Sequence, residues 1–147
     1  MIHEAVRAMR ADDAGELARL EAEARTAIVD QRGGAAHLAE VSAVGEWASL
    51  LHRTDRHVVV GTIDDIVVGY LELVIEPPRA QVRQVYVHPE ARELGLGDEM
   101  LTLATRTAVA AGCTVLEGSA LPGDRDTKNL YERAGIVARK IIVSRPL

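Results

Sequence analysis

Arg92, Gly95 and Gly97 stand in an Arg-x-x-Gly-x-Gly spacing, with a β-rich run ending ahead of them at Val87 and helical periodicity beginning at Leu96. Residues so placed suit a pyrophosphate. The first amides of a helix have no intrahelical partner, and the helix dipole adds partial positive charge there. Anions bind at such a point. Without a Cβ at 95 and 97 the backbone can turn sharply and approach phosphate oxygens. Arg92 can add a charge-assisted contact. A plain loop-to-helix turn also carries two glycines, so the spacing alone leaves both readings open. A Rossmann site needs a third glycine where Met100 stands, and a P-loop needs a Gly-Lys-Ser/Thr that does not follow.

The elements that must position these residues follow from periodicity. Ala5 to Met9 reads as a first strand. Asp13 with Glu16 resembles a capping box, and Leu17, Leu20 and Ala24 recur at helical spacing. Gly33-Gly34 breaks that helix, and the spacing predicts a second from about Ala36 to Leu51. His57 to Thr62 and Ile66 to Glu76 are β-rich and flank Asp64-Asp65, so they read as a hairpin ended by Pro77-Pro78. Gln81 to Val87 is a further strand; alternation sets Val82, Gln84 and Tyr86 on one face and Gln81, Arg83, Val85 and Val87 on the other. A helix follows from about Leu96 to Ala111, with Gly112 as its C-cap. Val115 to Ser119 is a short strand, Thr127 to Ala134 a short helix, and Ile136 to Val143 closing β-rich sequence. The order β-α-α-β-β-β-α-β-α-β is an α/β arrangement with a mixed sheet.

The chain of 147 residues fits one domain, residues 1–147. With no Phe, and with Trp47, Tyr70, Tyr86 and Tyr131 as the only aromatics, the core must be aliphatic. A formal charge of −5 argues against a general nucleic-acid binder. A single cysteine, Cys113, excludes an internal disulfide and suits a reducing compartment. The first ten residues lack the apolar run of a signal peptide, and the apolar stretch near Ile66 to Ile75 is too short to span a bilayer. The expectation is a cytoplasmic protein. Arg far outnumbers Lys and Ala is abundant, which suggests a bacterial source of high GC content. The histidines, at 3, 37, 52, 57 and 88, show no metal-ligand spacing, and no metal is expected.

The segment Val85 to Gly97 resembles motif A of the GNAT acyltransferase superfamily, and Asn129-Leu130-Tyr131-Glu132-Arg133-Ala134-Gly135 resembles its motif B. The resemblance covers nearly the whole chain in element order and implies the GNAT fold, a mixed central sheet flanked by helices. It implies acetyl-CoA as co-substrate and an amine acceptor attacked directly. Val85, Tyr86 and Val87 would pair with the pantetheine arm, one of their amides polarising the thioester carbonyl. The loop Arg92, Glu93, Leu94, Gly95, Leu96, Gly97 and Asp98 would cradle the pyrophosphate. Lys128, like Arg125, would reach the phosphates unless it merely solvates a helix start.

Tyr131 matches the family's general acid, which protonates the departing thiolate. A phenol has an unperturbed pKa near ~10, above that of a thiol, so it can donate at neutral pH. The other reading of Tyr131 is a ring half-buried for packing. The sequence departs from the family at Asp98, usually small or basic, at Asp124, usually Asn, and at Thr127, usually Ala. Gln81 stands where a catalytic Glu is frequent, which leaves Glu72 and Glu117 as candidate bases, directly or through a water. Trp47 is a candidate for the acceptor pocket or for the core. A rival reading is a CoA-binding sensor without turnover. GNAT proteins are often dimers, and the β-rich end from Ile136 to Val143 adds the expectation of a homodimer.

Overall fold

The computed structural model describes residues 1–147. Strand β2 (Arg56–Ile63) and strand β3 (Ile66–Glu76) are joined by Asp64 and Asp65, both at positive φ (49° and 67°). Two such residues between the paired Ile63 and Ile66 form the mirror-image turn that matches strand twist, and Asp tolerates it. Strand β1 (Glu4–Ala8) pairs antiparallel with β2, and β4 (Arg79–Val87) pairs antiparallel with β3. After helix α3 (Leu96–Ala110) the chain returns as β5 (Val115–Gly118), parallel to β4. The result is one mixed sheet in the order β1-β2-β3-β4-β5.

Each face of the sheet carries its own aliphatic core. On one face Met100, Leu101, Ala104 and Ala108 of α3 pack on Val59, Leu71, Leu73 and Val82. Helix α4 (Arg125–Arg133) adds Leu130 and Tyr131 to that core. On the other face α1 (Ala14–Ala27) lays Leu17 and Leu20 against Val58, Val60 and Tyr70. Trp47 is fully buried there, with its ring 5.1 Å from that of Tyr70. It belongs to the core and does not line a pocket.

Three expectations need correction. The second helix, α2, runs only from Gly34 to Glu40, and a separate 3-10 turn covers Trp47–His52. The break has a cause: the amides of Val44 and Gly45 are taken by the buried carboxylate of Glu21, and Gly45 sits at φ 72°. Strand β4 does not alternate evenly. Its register against β3 shifts between Val82, opposite Leu73, and Gln84, opposite Glu72. The extra residue, Arg83, is a bulge that moves the later side chains by one position. Val85 and Val87 thus join Val82 on the α3 face, while Arg83, Gln84 and Tyr86 face α1. Finally, Ile136 to Val143 forms no strand. After the Ile136 amide bonds to Tyr131 O, no backbone of this segment meets a ladder partner.

Candidate active site

The pairing of β4 with β5 stops at Val82 and Gly118. From there β4 runs on to Val87 with no strand beside that edge. The His88 amide bonds Val68 O on β3 at 2.8 Å. The two-residue alternation of an antiparallel ladder then turns the amides of Tyr86 and Gln84 toward β3 and those of Val85 and Val87 into the gap. An unpaired strand edge inside a cleft can take a ligand's amides as it would another strand.

The gap leads to the start of α3. Arg92 Nε donates to Val87 O at 2.9 Å, and its guanidinium lies 5.7 Å from the centre of the Tyr86 ring. Glu93 and Gly95 both hold positive φ, 69° and 82°. The amides of Glu93, Leu94 and Gly95 donate to no backbone carbonyl, and those of Leu96, Gly97 and Asp98 open the helix. Successive unengaged amides at a helix N-terminus form an anion-binding concavity. Arg92, Glu93, Gly95, Leu96, Gly97 and Asp98 all line the cleft; the Leu94 side chain points outward. Asp98 is held by Arg133 Nε at 2.9 Å, a pair that ties α3 to α4 and offsets the negative charge beside the loop. Lys128 is turned away, donating to Pro122 O at 2.7 Å. Asp124 caps α4, accepting from the Thr127 amide at 3.0 Å and hydroxyl at 2.6 Å.

Tyr131 stands where the two strands part. Its ring is buried, and a Cβ built on Gly118 would land on its hydroxyl. The hydroxyl also faces Ser119 O at 3.5 Å. Burial, with the charge of Asp124, pushes its pKa up to about 12. The group therefore keeps its proton throughout the neutral range, and the residue lines the same cleft as the loop that opens α3.

The far end of the cleft lies between α1, α2 and β4. Arg25 donates to Val41 O at 2.7 Å and to Leu38 O at 3.3 Å, fixing α2 on α1. A side chain at Gly33 would touch Leu121 and Pro122, so the α1–α2 loop closes across the cleft onto the segment before α4. His37 lines this end, and burial together with Arg25 lowers its pKa below the ordinary imidazole value. Tyr86 donates to Glu23 at 2.6 Å, and His88 Nδ1 lies 2.8 Å from the same oxygen. Burial and then Glu23 push the Tyr86 hydroxyl up to about 12, while the hydroxyl and His88 hold the Glu23 carboxyl below its usual range.

The two glutamates named as bases are both engaged. Glu72 is fully buried, with Arg56 at 2.5 Å on one oxygen and Arg83 at 2.7 Å and Gln84 at 2.9 Å on the other. Gln84 donates in turn to Glu21 at 2.8 Å and accepts from Tyr70 at 2.9 Å. Tyr70, Arg83 and Gln84 of this network line the α1–α2 end of the cleft, whereas Glu72 lies beneath them and does not line it. Glu117 is exposed, paired with Arg79 at 2.8 Å on the outer strand, and does not line the cleft. Gln81 is exposed as well; the glutamine that reaches the cleft is Gln84. Sequence reasoning missed Glu21, Glu23 and His37. Glu21 had one signal: it stands four residues after Leu17, an acid at a core position of α1.

Comparison with known proteins agrees with this geometry. The model of the Acetyltransferase (GNAT) family matches residues 16–136. The aminoglycoside N-acetyltransferase AAC(6')-Iy in complex with CoA superposes with a TM-score of 0.74 at 17% identity, covering 99% of this chain and 96% of that one. A ribosomal-protein-alanine N-acetyltransferase from Brucella melitensis biovar Abortus 2308 superposes with a TM-score of 0.69 at 21% identity, covering 98% and 97%. No curated protein sequence matches the chain significantly. At these identities the structures speak to the fold, and the match of the family model over most of the length places this chain in the GNAT acetyltransferase family.

Proposed function

We propose that the protein transfers an acetyl group from acetyl-CoA to an amine by direct attack, without a covalent enzyme intermediate. One observation carries the reading: the unpaired edge of β4, the unengaged amides of Glu93 to Gly95 and the Tyr131 hydroxyl all open into one cleft. The amides and the α3 N-terminus hold the pyrophosphate, and Val85 and Val87 pair with the pantetheine arm. An amide of that edge donates to the thioester oxygen as negative charge develops there, the kind of stabilisation worth about 10²–10³-fold. The acceptor nitrogen enters from the α1–α2 end and attacks the carbonyl carbon. The C–S bond breaks, and Tyr131 gives its proton to the thiolate. The amine's proton leaves through the same end, where His37 is neutral at pH 7 and can accept it.

Glu72 serves this reading as a structural anchor, because its carboxylate already balances Arg56 and Arg83. Two of the structural neighbours are named for an aminoglycoside and for a ribosomal-protein alanine, so amines of quite different size fit this fold. The decisive experiment measures CoA thiol release from acetyl-CoA against a panel of small amines, amino acids, aminoglycosides and peptides. Saturable release with one acceptor, reduced in His37→Gln, is the expected result. Tight acetyl-CoA binding with no release for any acceptor would make the protein a CoA sensor instead.

A further inference from the structure

The cleft is charged unevenly along its length. The acids that line it, Glu90, Glu93, Asp98, Asp124 and Asp126, all lie on the segment that opens α3 or at the start of α4. No aspartate or glutamate lines the α1–α2 end, where Arg25, Arg83 and His37 stand. The two guanidinium groups there are drawn together by the backbone after α2. Arg25 donates to Val41 O at 2.7 Å and Arg83 to Ser42 O at 2.6 Å, so they rest on successive carbonyls. The Nε of each has no partner and is not sealed inside the protein, which leaves donors for a ligand.

The charges beneath do not cancel these. Arg25 meets only carbonyl oxygens. Arg83 shares Glu72 with Arg56, two guanidinium groups on one carboxylate. Glu21, the other buried acid here, is taken by the amides of Val44 and Gly45 and by Gln84. Three guanidinium groups thus stand against two carboxylates in this corner. The field reaches His37: after burial, Arg25 is the largest cause of its lowered pKa, and Arg83 acts in the same direction. Planar, permanently charged forks suit a carboxylate, which accepts parallel N–H bonds from such a group. The same charges repel a polycation. Size is bounded as well. The α1–α2 loop bridges the cleft, since a Cβ at Gly33 would lie 3.4 Å from Pro122 and 3.6 Å from Leu121. A polypeptide laid across this end would meet the bridge, whereas a small acceptor would not.

Building on the acetyl-transfer reading, we propose that the acceptor is a small amine bearing a carboxylate, of the amino-acid class, and that Arg25 and Arg83 take the carboxylate. Held in this way at the α1–α2 end, the acceptor turns its uncharged nitrogen toward the thioester. The N–C bond forms and the C–S bond breaks; one amine proton leaves, and the thiolate gains one from Tyr131. Acetyl-CoA and an amino acid give CoA and an N-acetyl amino acid. An aminoglycoside, which brings several positive charges and no carboxylate, is disfavoured at the same place.

Thiol release from acetyl-CoA is compared across matched sets: a free α- or ω-amino acid, its carboxamide, and the amine lacking the carboxyl group, with an aminoglycoside and short peptides alongside. The best free acid should exceed its uncharged partners in kcat/KM by about 10²-fold or more, because a site built for a polar group rejects the analogue that lacks it. Arg25→Gln and Arg83→Gln should each raise KM for the acid and narrow that ratio by about tenfold or more, the loss of one charge-assisted fork. Arg25→Lys, which keeps the charge, should keep more of the preference. A merely structural defect would slow every member of a set alike; an unchanged ratio in both glutamine variants would overturn the assignment to these arginines. A retained melting transition with an acetyl-CoA response shows that each variant is folded. Binding is also read without turnover: with CoA present, the preferred acid should raise Tm and its carboxamide should not. A carboxylate-dependent rise without thiol release would overturn the transfer reading and uphold the carboxylate site. Release equal or faster with the carboxamide, the bare amine, the aminoglycoside or a peptide would overturn the carboxylate-bearing acceptor and leave acetyl transfer standing. Neither release nor a shift with any acid overturns both.

Discussion

Tyr131 has its proton placed and held. The phenol is buried, its pKa is pushed up to about 12, and Ser119 O is its only hydrogen-bonding neighbour in the protein. Because the shift is upward, the protonated form persists through any assay below about pH 10. Any alkaline limb found in a rate profile would then come from another group. Tyr131→Phe keeps the ring in the α3-side core and removes only the hydroxyl. Folding and acetyl-CoA binding should survive, while kcat should fall by roughly 10- to 1,000-fold, in or just below the usual range for acid–base groups. The loss should shrink with acyl donors whose leaving thiol is more acidic. An unchanged kcat in that variant would reduce Tyr131 to packing. The sequence made this residue legible through its motif and through the scarcity of aromatics. It could not show that Glu72 is buried between two arginines, because Arg56 and Arg83 lie 16 and 11 residues away and meet it only across the sheet.

The elements decide whether that hydroxyl reaches the cleft. β5 ends in Gly118, and any side chain there would occupy the space of the Tyr131 hydroxyl and ring carbon. Gly118→Ala should therefore push Tyr131 off its position. Overpacking of this kind costs about 1–3 kcal/mol of stability, and a misplacement near 1 Å costs on the order of 10²-fold in rate. The check is a double-mutant cycle: adding Gly118→Ala to Tyr131→Phe should lower kcat little beyond Tyr131→Phe alone, since both act through the same hydroxyl. Additive losses would mean that Gly118 serves the fold and not the acid. Most elements around this site were legible in the sequence, among them the β2–β3 hairpin with its Asp-Asp turn and the glycine-led start of α3. What was not legible has one physical origin. The bulge at Arg83 and the break after α2 are both fixed by long-range bonds to buried carboxylates, Arg83 to Glu72 and Val44 to Glu21, which local periodicity does not contain.

On the scale of the whole molecule the sheet separates two aliphatic cores, one under α3 and one under α1, and residues from both sides line the cleft. A ligand lying from the phosphate loop to the α1–α2 end touches both halves and should tie them together. Acetyl-CoA at about a hundred times its Kd stabilises the native state by about 2.7 kcal/mol. For a domain of this size each kcal/mol moves Tm by roughly 2–4 °C, so a shift of several degrees is expected in a melting scan. The position of Gly97 makes that shift diagnostic. A Cβ at 97 would meet only Leu130, at 3.6 and 3.8 Å, which is ordinary contact. Gly97→Ala should therefore fold normally and keep most of the shift. Gly97→Glu adds a carboxylate beside the unengaged amides, where a pyrophosphate would sit, and should abolish the shift while leaving the ligand-free Tm within a few degrees. If Gly97→Ala loses binding as fully as Gly97→Glu, the backbone itself must approach the ligand at 97. If neither variant changes the shift, acetyl-CoA binds somewhere other than the N-terminus of α3.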